Sequence, residues 1–127
     1  MPLDIHKDAK PAHNASIAAA RQGKFWEFHD KLFSDQTNLK PQLFEKYARE
    51  LGLDMSQFSK DLLDPQNGKL MDADIAEAQS LSVTGTPGFF VNGRFLSGAQ
   101  PFEEFAKLIN AELAKRSIPI PAEAQVE

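Results

Sequence analysis

The first eighty residues carry apolar side chains at helical spacing, interrupted by short polar breaks. From Asp8 onward, small residues recur every three or four positions and predict a first helix that ends at Gly23: Ala12, Ala15, Ser16, Ala19 and Ala20. The segment GKFWEFHDKLF predicts a second helix with a wide apolar face that is expected to be buried. That face comprises Phe25, Phe28, His29 and Leu32, with Trp26 and Phe33 flanking it.

Three further helices are predicted before residue 83. Pro41 opens a helix that runs to Leu51, with an apolar stripe made of Leu43, Phe44, Tyr47, Ala48 and Leu51. After Gly52, the segment LDMSQFSKDLLD predicts a short helix that contains Phe58, Leu62 and Leu63. Asp64-Pro65 breaks the chain. A fifth helix is predicted from about Gly68 to Ser82, with Leu70, Ile75, Ala78 and Leu81 on its inner side.

The pattern then changes from helix to strand. Two apolar runs flank Asn92-Gly93 in GFFVNGRFLSG, and this dipeptide is the strongest short-range signal for a hairpin with a type I′ turn. A last helix is predicted over about 101–115, followed by a tail at 116–127 whose prolines favour an extended or disordered end. The chain is therefore expected to contain six helices and one hairpin.

Composition removes several classes of function. The chain has 127 residues, enough for one domain, and a net charge of −4 with interspersed signs, which argues against a nucleic-acid surface. It contains neither an apolar run of membrane-spanning length nor the charged and apolar segments of a signal peptide, so no membrane partner is expected. The absence of cysteine excludes disulfides, thiolate nucleophiles and thiolate metal sites within the chain.

The histidines are the remaining candidates for strong metal ligands or a general base. His6, His13 and His29 are widely spaced, and a metal site needs three or four ligands, so neither a metal nor a cofactor is expected. His29 beside Asp30 has the composition of a base oriented by a carboxylate, although a histidine packed at a helix interface is the more common arrangement. No catalytic residue is therefore assigned.

Three other patterns invite a functional interpretation. VTGTPG lacks the Lys-Ser/Thr ending of a phosphate loop and precedes a strand, so phosphate binding is rejected. The pairs Asp72/Asp74 and Glu103/Glu104 are expected on solvated helix faces. Aromatic residues in 25–33 either line a ligand or peptide groove or, as is more usual at helical spacing, belong to the core.

Three segments together resemble the DsbA-like thiol–disulfide oxidoreductases of the thioredoxin superfamily: HKDAKPAHNASIAAARQGKFWEFHDKLF, YARELGLD and VTGTPGFFVNGRFLSGAQPFEEF. The resemblance spans about 2–115. It implies an α/β, mostly helical fold: an incomplete thioredoxin-like domain over 1–115 with a helical insertion over about 9–80. The cis-proline loop, a C-terminal β-hairpin and a C-terminal helix would occupy 83–115.

The resemblance also assigns a binding loop. Gly85, Thr86 and Pro87 would form the cis-proline loop, in which the Thr86 backbone hydrogen-bonds an extended peptide or protein substrate. Residues 89–92 and 94–97 would be the last two core strands. From its position before a strand alone, Thr86-Pro87 is only a candidate cis bond, because few X-Pro bonds in folded proteins are cis.

The family's Cys-x-x-Cys helix and the strand before it would lie upstream of the matching segment. The resemblance therefore implies a domain without its redox centre, which is expected to be redox-inactive as this chain because exchange requires a cysteine thiolate. The alternative is a non-catalytic peptide-binding or dimerisation module. A glutathione-transferase-kappa-like or isomerase-like enzyme on the same fold is a third interpretation. Family analogy implies an extracytoplasmic parent protein.

A missing neighbouring strand would leave one edge of the hairpin unpaired. Phe89, Phe90 and Val91 would then lie at an edge with free N–H and C=O groups, and such an edge recruits another strand. The expected outcome is a homodimer through this edge. A monomer whose inserted helices cover the edge is the alternative.

Overall fold

The computed structural model describes residues 2–122, and within them it contains six helices and one two-stranded antiparallel sheet. The elements are α1 (Ala9–Ala20), α2 (Phe25–Ser34), α3 (Pro41–Glu50), α4 (Met55–Leu62), α5 (Gln66–Ser80), β1 (Gly88–Val91), β2 (Arg94–Ser97) and α6 (Phe102–Lys115). The chain divides into two compact units, Met1–Ala78 and Gln79–Glu127. The predicted helices and hairpin are confirmed, with α5 beginning two residues before the expected Gly68.

The core of the first unit lies among α1, α2, α3 and α4. Alanines of α1 let the neighbouring helices approach closely, and Phe28, Phe44, Tyr47 and Phe58 fill the space between them. The Phe28 ring stands nearly perpendicular to Tyr47 at a centroid distance of 6.3 Å and lies 5.9 Å from Phe58. Phe28 and Phe58 are fully buried, which makes them the central pair of this core.

A polar cluster joins α1 to the junction between α4 and α5. Arg21 donates hydrogen bonds to Asp61 at 3.0 Å, to Asp64 at 2.7 Å and to Asn67 at 2.7 Å. Asp61 and Asn67 are buried, and Asn67 also donates to Asn14 of α1. One arginine thus donates to two buried polar residues and to the partly exposed Asp64, and Asp61 also accepts from Gln57.

Several predicted apolar positions are exposed instead of buried. The wide face of α2 buries only Phe28, while Trp26 and Phe33 are 68% and 62% exposed. Leu63 of the α4 segment is 85% exposed, and Ala20 is exposed while the unpredicted Ala18 is buried. A helix buries only the side chains that face a neighbouring element, so an apolar stripe wider than that contact remains outside.

The helix α5 departs most from its predicted inner face. Leu70 and Leu81 are each 51% exposed, and Asn67 is its one buried residue among those described. The predicted tail at 116–127 lies partly outside the described residues. Its first residues, Arg116 to Ile118, continue from α6 as a turn in which three backbone N–H groups bond back to Leu113 and Ala114 carbonyls.

The hairpin forms as its turn residues dictate. Asn92 and Gly93 have φ values of 51° and 82°, which suit the two central positions of a type I′ turn. The register pairs Val91 with Arg94, Phe90 with Phe95, Phe89 with Leu96 and Gly88 with Ser97. The first strand therefore occupies 88–91 and not the expected 89–92, because Asn92 is used by the turn.

Candidate peptide-binding edge

The predicted binding loop lies directly before β1. Gly85, Thr86 and Pro87 form a bend between the end of α5 and the strand, and the Thr86–Pro87 peptide bond is cis. Thr86 and Pro87 are exposed, and Gly85 is partly buried. Over residues 2–122, no hydrogen bond joins the Thr86 backbone to another backbone group, so its N–H and C=O groups are available to a ligand.

The hairpin register decides which backbone groups of β1 face outward. The Gly98 N–H donates to the Pro87 carbonyl at 2.8 Å, so Pro87 is one of the alternate residues whose backbone groups bond toward the β2 side. Because hydrogen-bonding direction alternates along a strand, Phe89 and Val91 also bond inward. Gly88 and Phe90 consequently direct their N–H and C=O groups to the free side of β1.

These groups form a row with the loop. Gly88 and Phe90 are spaced by two residues, the spacing at which a neighbouring strand exchanges hydrogen bonds, and Thr86 lies two residues earlier in the loop. Within the described part of the chain the sheet has two strands, so the row has no strand beside it. We call the N–H and C=O groups of these three residues the free edge.

The two faces of the hairpin differ. Phe89 packs perpendicular to Phe105 of α6 with ring centroids 4.8 Å apart. On the opposite face, Phe90 and Phe95 lie 5.0 Å apart and are 47% and 38% exposed. The predicted edge residues Phe89, Phe90 and Val91 thus belong to one strand but have different neighbours. Phe89, 37% exposed, contacts α6, whereas Phe90 contacts Phe95 on the opposite face.

A buried carboxylate, which the sequence did not single out, fixes the hairpin turn on α6. Glu112 accepts hydrogen bonds from Lys115 at 2.6 Å, Asn92 at 2.9 Å and Arg94 at 3.4 Å. Its side chain is 11% exposed. The hydrogen bond from Lys115, followed by that from Asn92, lowers the pKa of Glu112 from 4.5 to about 2. This carboxylate therefore anchors the hairpin turn and the first residue of β2 on α6.

The first unit holds the other candidate groups. A groove of about 400 Å³ lies beside α1 and α2, and residues that line it include His13, Ser16, Phe25, His29 and Phe33. Of the aromatic residues in 25–33, Phe25 and Phe33 therefore line the groove, Phe28 lies in the core and Trp26 is exposed. Burial lowers the pKa of His13.

The groove brings no complete catalytic set together. His29 Nδ1 lies 3.0 Å from Asp30 Oδ1, as expected for an oriented base, but the Ser16 hydroxyl donates to the His13 carbonyl at 2.7 Å. No three His, Cys, Asp or Glu side chains converge on a possible metal position anywhere in residues 2–122. Asp72, Asp74, Glu103 and Glu104 are exposed, which confirms the solvated faces expected for them.

Comparisons with known proteins give the chain relatives of two kinds. The family model described as a DSBA-like thioredoxin domain matches residues 1–110. A solved structure, a thioredoxin-like oxidoreductase from Silicibacter pomeroyi DSS-3, superposes with a TM-score of 0.72 at 27% identity. The matched region covers 86% of this chain and 63% of the chain of the oxidoreductase. The mostly helical architecture with its hairpin is thus thioredoxin-like.

The curated relatives are much longer proteins. The Na(+)/H(+) antiporter NhaA 3 of Salinispora tropica is 39% identical over 115 residues, which are 90% of this chain and 18% of that protein. The Na(+)/H(+) antiporter NhaA of Herminiimonas arsenicoxydans is 40% identical over 97 residues, 76% of this chain and 16% of that protein. The chain spans less than a fifth of their length. Between residues 2 and 122, no helix combines the length and apolar character that crossing a membrane requires.

Proposed function

The chain belongs to the DSBA-like thioredoxin domain family, and we propose that it binds an extended polypeptide along the free edge without exchanging disulfides itself. The observation that carries the proposal is the outward direction of the Gly88 and Phe90 backbone groups, with the exposed Thr86 loop directly before them. A peptide in extended conformation satisfies such groups by adding a strand, and main-chain hydrogen bonds then supply much of the affinity.

The local sequence supports strand addition. Natural edge strands usually carry charges, especially lysine, that discourage pairing with another chain. No charged residue occurs between Val83 and Gly93, so an incoming backbone meets no unpaired charge along the edge. Arg94, the first charged residue beyond this run, lies on β2 and points its guanidinium toward Glu112.

The second part of the proposal concerns chemistry. Thiol–disulfide exchange starts with attack by a cysteine thiolate, and the chain has no cysteine. We therefore expect this polypeptide to reduce insulin disulfides no faster than buffer with the same reductant. Turnover above that background by the purified chain would contradict the proposal. The names of the curated relatives describe ion transport, and our proposal for this chain does not include that activity.

Amide hydrogen exchange tests peptide binding at the level of single N–H groups. A blocked, uncharged peptide of β-forming residues is added to the full chain, and exchange is read by nuclear magnetic resonance. We expect slower exchange at Thr86, Gly88 and Phe90. Phe89 and Val91 are the internal controls, because their N–H groups already bond to β2. Equal slowing at all five positions, or none, would overturn the assignment of the edge.

Self-association is the second candidate, and the strand register favours it specifically. Two copies of β1 can pair antiparallel about a two-fold axis at Phe89, so that Gly88 of each copy exchanges both hydrogen bonds with Phe90 of the other. The uncharged run places no like charges opposite each other across that axis. Phe89 and Phe90 would then lie at the centre of the interface, and Val91 would lie opposite Pro87 of the other copy.

Sedimentation velocity separates the two candidates. A homodimer predicts a concentration-dependent sedimentation coefficient over about 1–100 µM, with protection of the Gly88 and Phe90 amides that grows with protein concentration. A clean monomer at tens of micromolar contradicts dimerisation and leaves peptide binding in place. If both occur, added peptide should dissociate the dimer, because the two partners use the same edge.

A further inference from the structure

The free edge is bordered on one side by exposed aromatic rings. Phe90 and Phe95 point away from α6, and their rings are tilted by 36° with centroids 5.0 Å apart. Exposed neighbouring aromatics are a usual feature of surfaces that bind an apolar side chain. Because Phe95 belongs to β2, its ring has to reach across β1 to influence a ligand at the free edge.

The absence of a side chain at Gly88 allows the Phe95 ring to extend over β1. A Cβ atom at this position would lie 3.1 Å from Cε2 of Phe95 and 3.3 Å from Cγ1 of Val83. The Phe95 ring therefore occupies the space that a side chain of residue 88 would take, over the strand that forms the edge. We call the surface made by Val83, Gly88, Phe90 and Phe95 the Gly88 subsite.

An added strand would place a side chain on this surface. In a directly paired antiparallel position, two side chains project to the same face with Cβ atoms about 4.5–5.5 Å apart. The peptide residue that pairs with Gly88 has no side chain opposite it and meets the ring of Phe95 instead. The neighbouring peptide residues on either side project toward the opposite face.

We propose that the free edge selects peptides with an aromatic or large aliphatic side chain at the residue that pairs with Gly88. This inference rests on the proposed peptide binding and adds its specificity. An apolar side chain there removes the surface of two exposed rings from water and gains ring contacts. A charged side chain would lose water without gaining a partner, because residues 83–93 carry no charge.

The test uses the full chain and five blocked peptides that share one uncharged, threonine-rich sequence and differ only at the central residue: phenylalanine, leucine, serine, lysine or aspartate. Binding is followed by nuclear magnetic resonance at the Gly88 and Phe90 amides. We expect the phenylalanine and leucine peptides to bind at least about tenfold more tightly than the serine, lysine and aspartate peptides.

Variants of the protein identify the surface responsible. Phe95→Thr removes the ring but keeps a strand-forming residue, and Gly88→Ala displaces the ring by inserting a Cβ. Both should reduce the preference to less than about threefold. Phe89→Leu, on the opposite face, should retain the preference. Unaltered amide exchange in β2 shows that each variant is folded.

The outcomes separate this inference from the proposed function. Equal affinities for all five peptides, with the Gly88 amide perturbed by each, would contradict the specificity and leave peptide binding intact. A preference that survives both Phe95→Thr and Gly88→Ala would also contradict it. If no peptide perturbs the edge amides, both the proposed function and its specificity are wrong.

Discussion

Phe28 and Phe33 are the same residue type on the same helix, but one is buried and the other is exposed, so their expected contributions to stability differ. Phe28 is 0% exposed and contacts Tyr47 and Phe58, whereas Phe33 is 62% exposed at the groove. Truncating a buried phenylalanine to alanine removes its burial and leaves a cavity, at a cost of about 3–5 kcal/mol. We therefore expect Phe28→Ala to lower the free energy of unfolding of the first unit by that amount.

Phe33→Ala is the matched control. Only about two fifths of its side chain is removed from water, and full burial of phenylalanine stabilises by about 1.5–3 kcal/mol, so roughly 1 kcal/mol or less is expected. Phe28→Leu provides an intermediate point if Phe28→Ala does not fold. Its loss should be on the order of 1 kcal/mol, because most of the apolar volume remains.

Urea unfolding followed by Trp26 fluorescence measures all three variants, since the single tryptophan lies on the same helix. With a slope of about 1–1.5 kcal/mol/M, a loss of 3 kcal/mol moves the midpoint by about 2–3 M. Similar midpoint shifts for Phe28→Ala and Phe33→Ala would refute the reasoning. They would mean that both faces of α2 are buried, as the apolar pattern of the sequence alone predicts.

Three further perturbations test the contacts described above. Phe89→Ala removes the perpendicular contact with Phe105 and should cost about 2 kcal/mol, seen as faster amide exchange in β1 and β2; unchanged exchange would contradict that packing. Because the pKa of Glu112 is lowered in the folded state, the ionised carboxylate stabilises the hairpin fully above pH 4.5, and this stabilisation is lost as the pH falls toward about 2. Glu112→Gln should therefore flatten the acid-induced increase in hairpin exchange, and a steep remaining pH dependence would refute this. Arg21→Lys should lower the urea midpoint, because lysine lacks the planar fork that reaches three acceptors, while Arg49→Lys on the exposed surface serves as the neutral control.

Much of the local structure could be predicted from residue order. The type I′ hairpin followed from Asn92-Gly93, because few residues adopt two successive positive φ values. The start of α3 followed from Pro41, whose fixed φ suits a first helical turn. The family resemblance over a contiguous segment made Thr86-Pro87 a candidate cis peptide bond, and the bond is cis; peptide binding by this loop stays a prediction.

The buried polar residues were not predicted. Asp61 and Asn67 are ordinary polar residues in the sequence pattern. Both accept a hydrogen bond from Arg21, some forty residues earlier, and Asn67 also donates to the distant Asn14. Glu112 similarly depends on Asn92 and Arg94 of the hairpin. A sequence pattern reports the chemistry of one side chain and its near neighbours, but it does not report which distant donor will be placed beside it.

By itself, the sequence determined the order of helices and hairpin, the absence of a thiolate in the chain and the uncharged run around the free edge. Tertiary structure alone decided that Phe28 is buried while Phe33 is exposed, that Phe89 contacts α6, and that Phe95 lies over Gly88. The physical reason is that periodicity and turn preference act between residues close in sequence. Burial and edge exposure depend on which surfaces meet in space, and that is settled only when the whole chain packs.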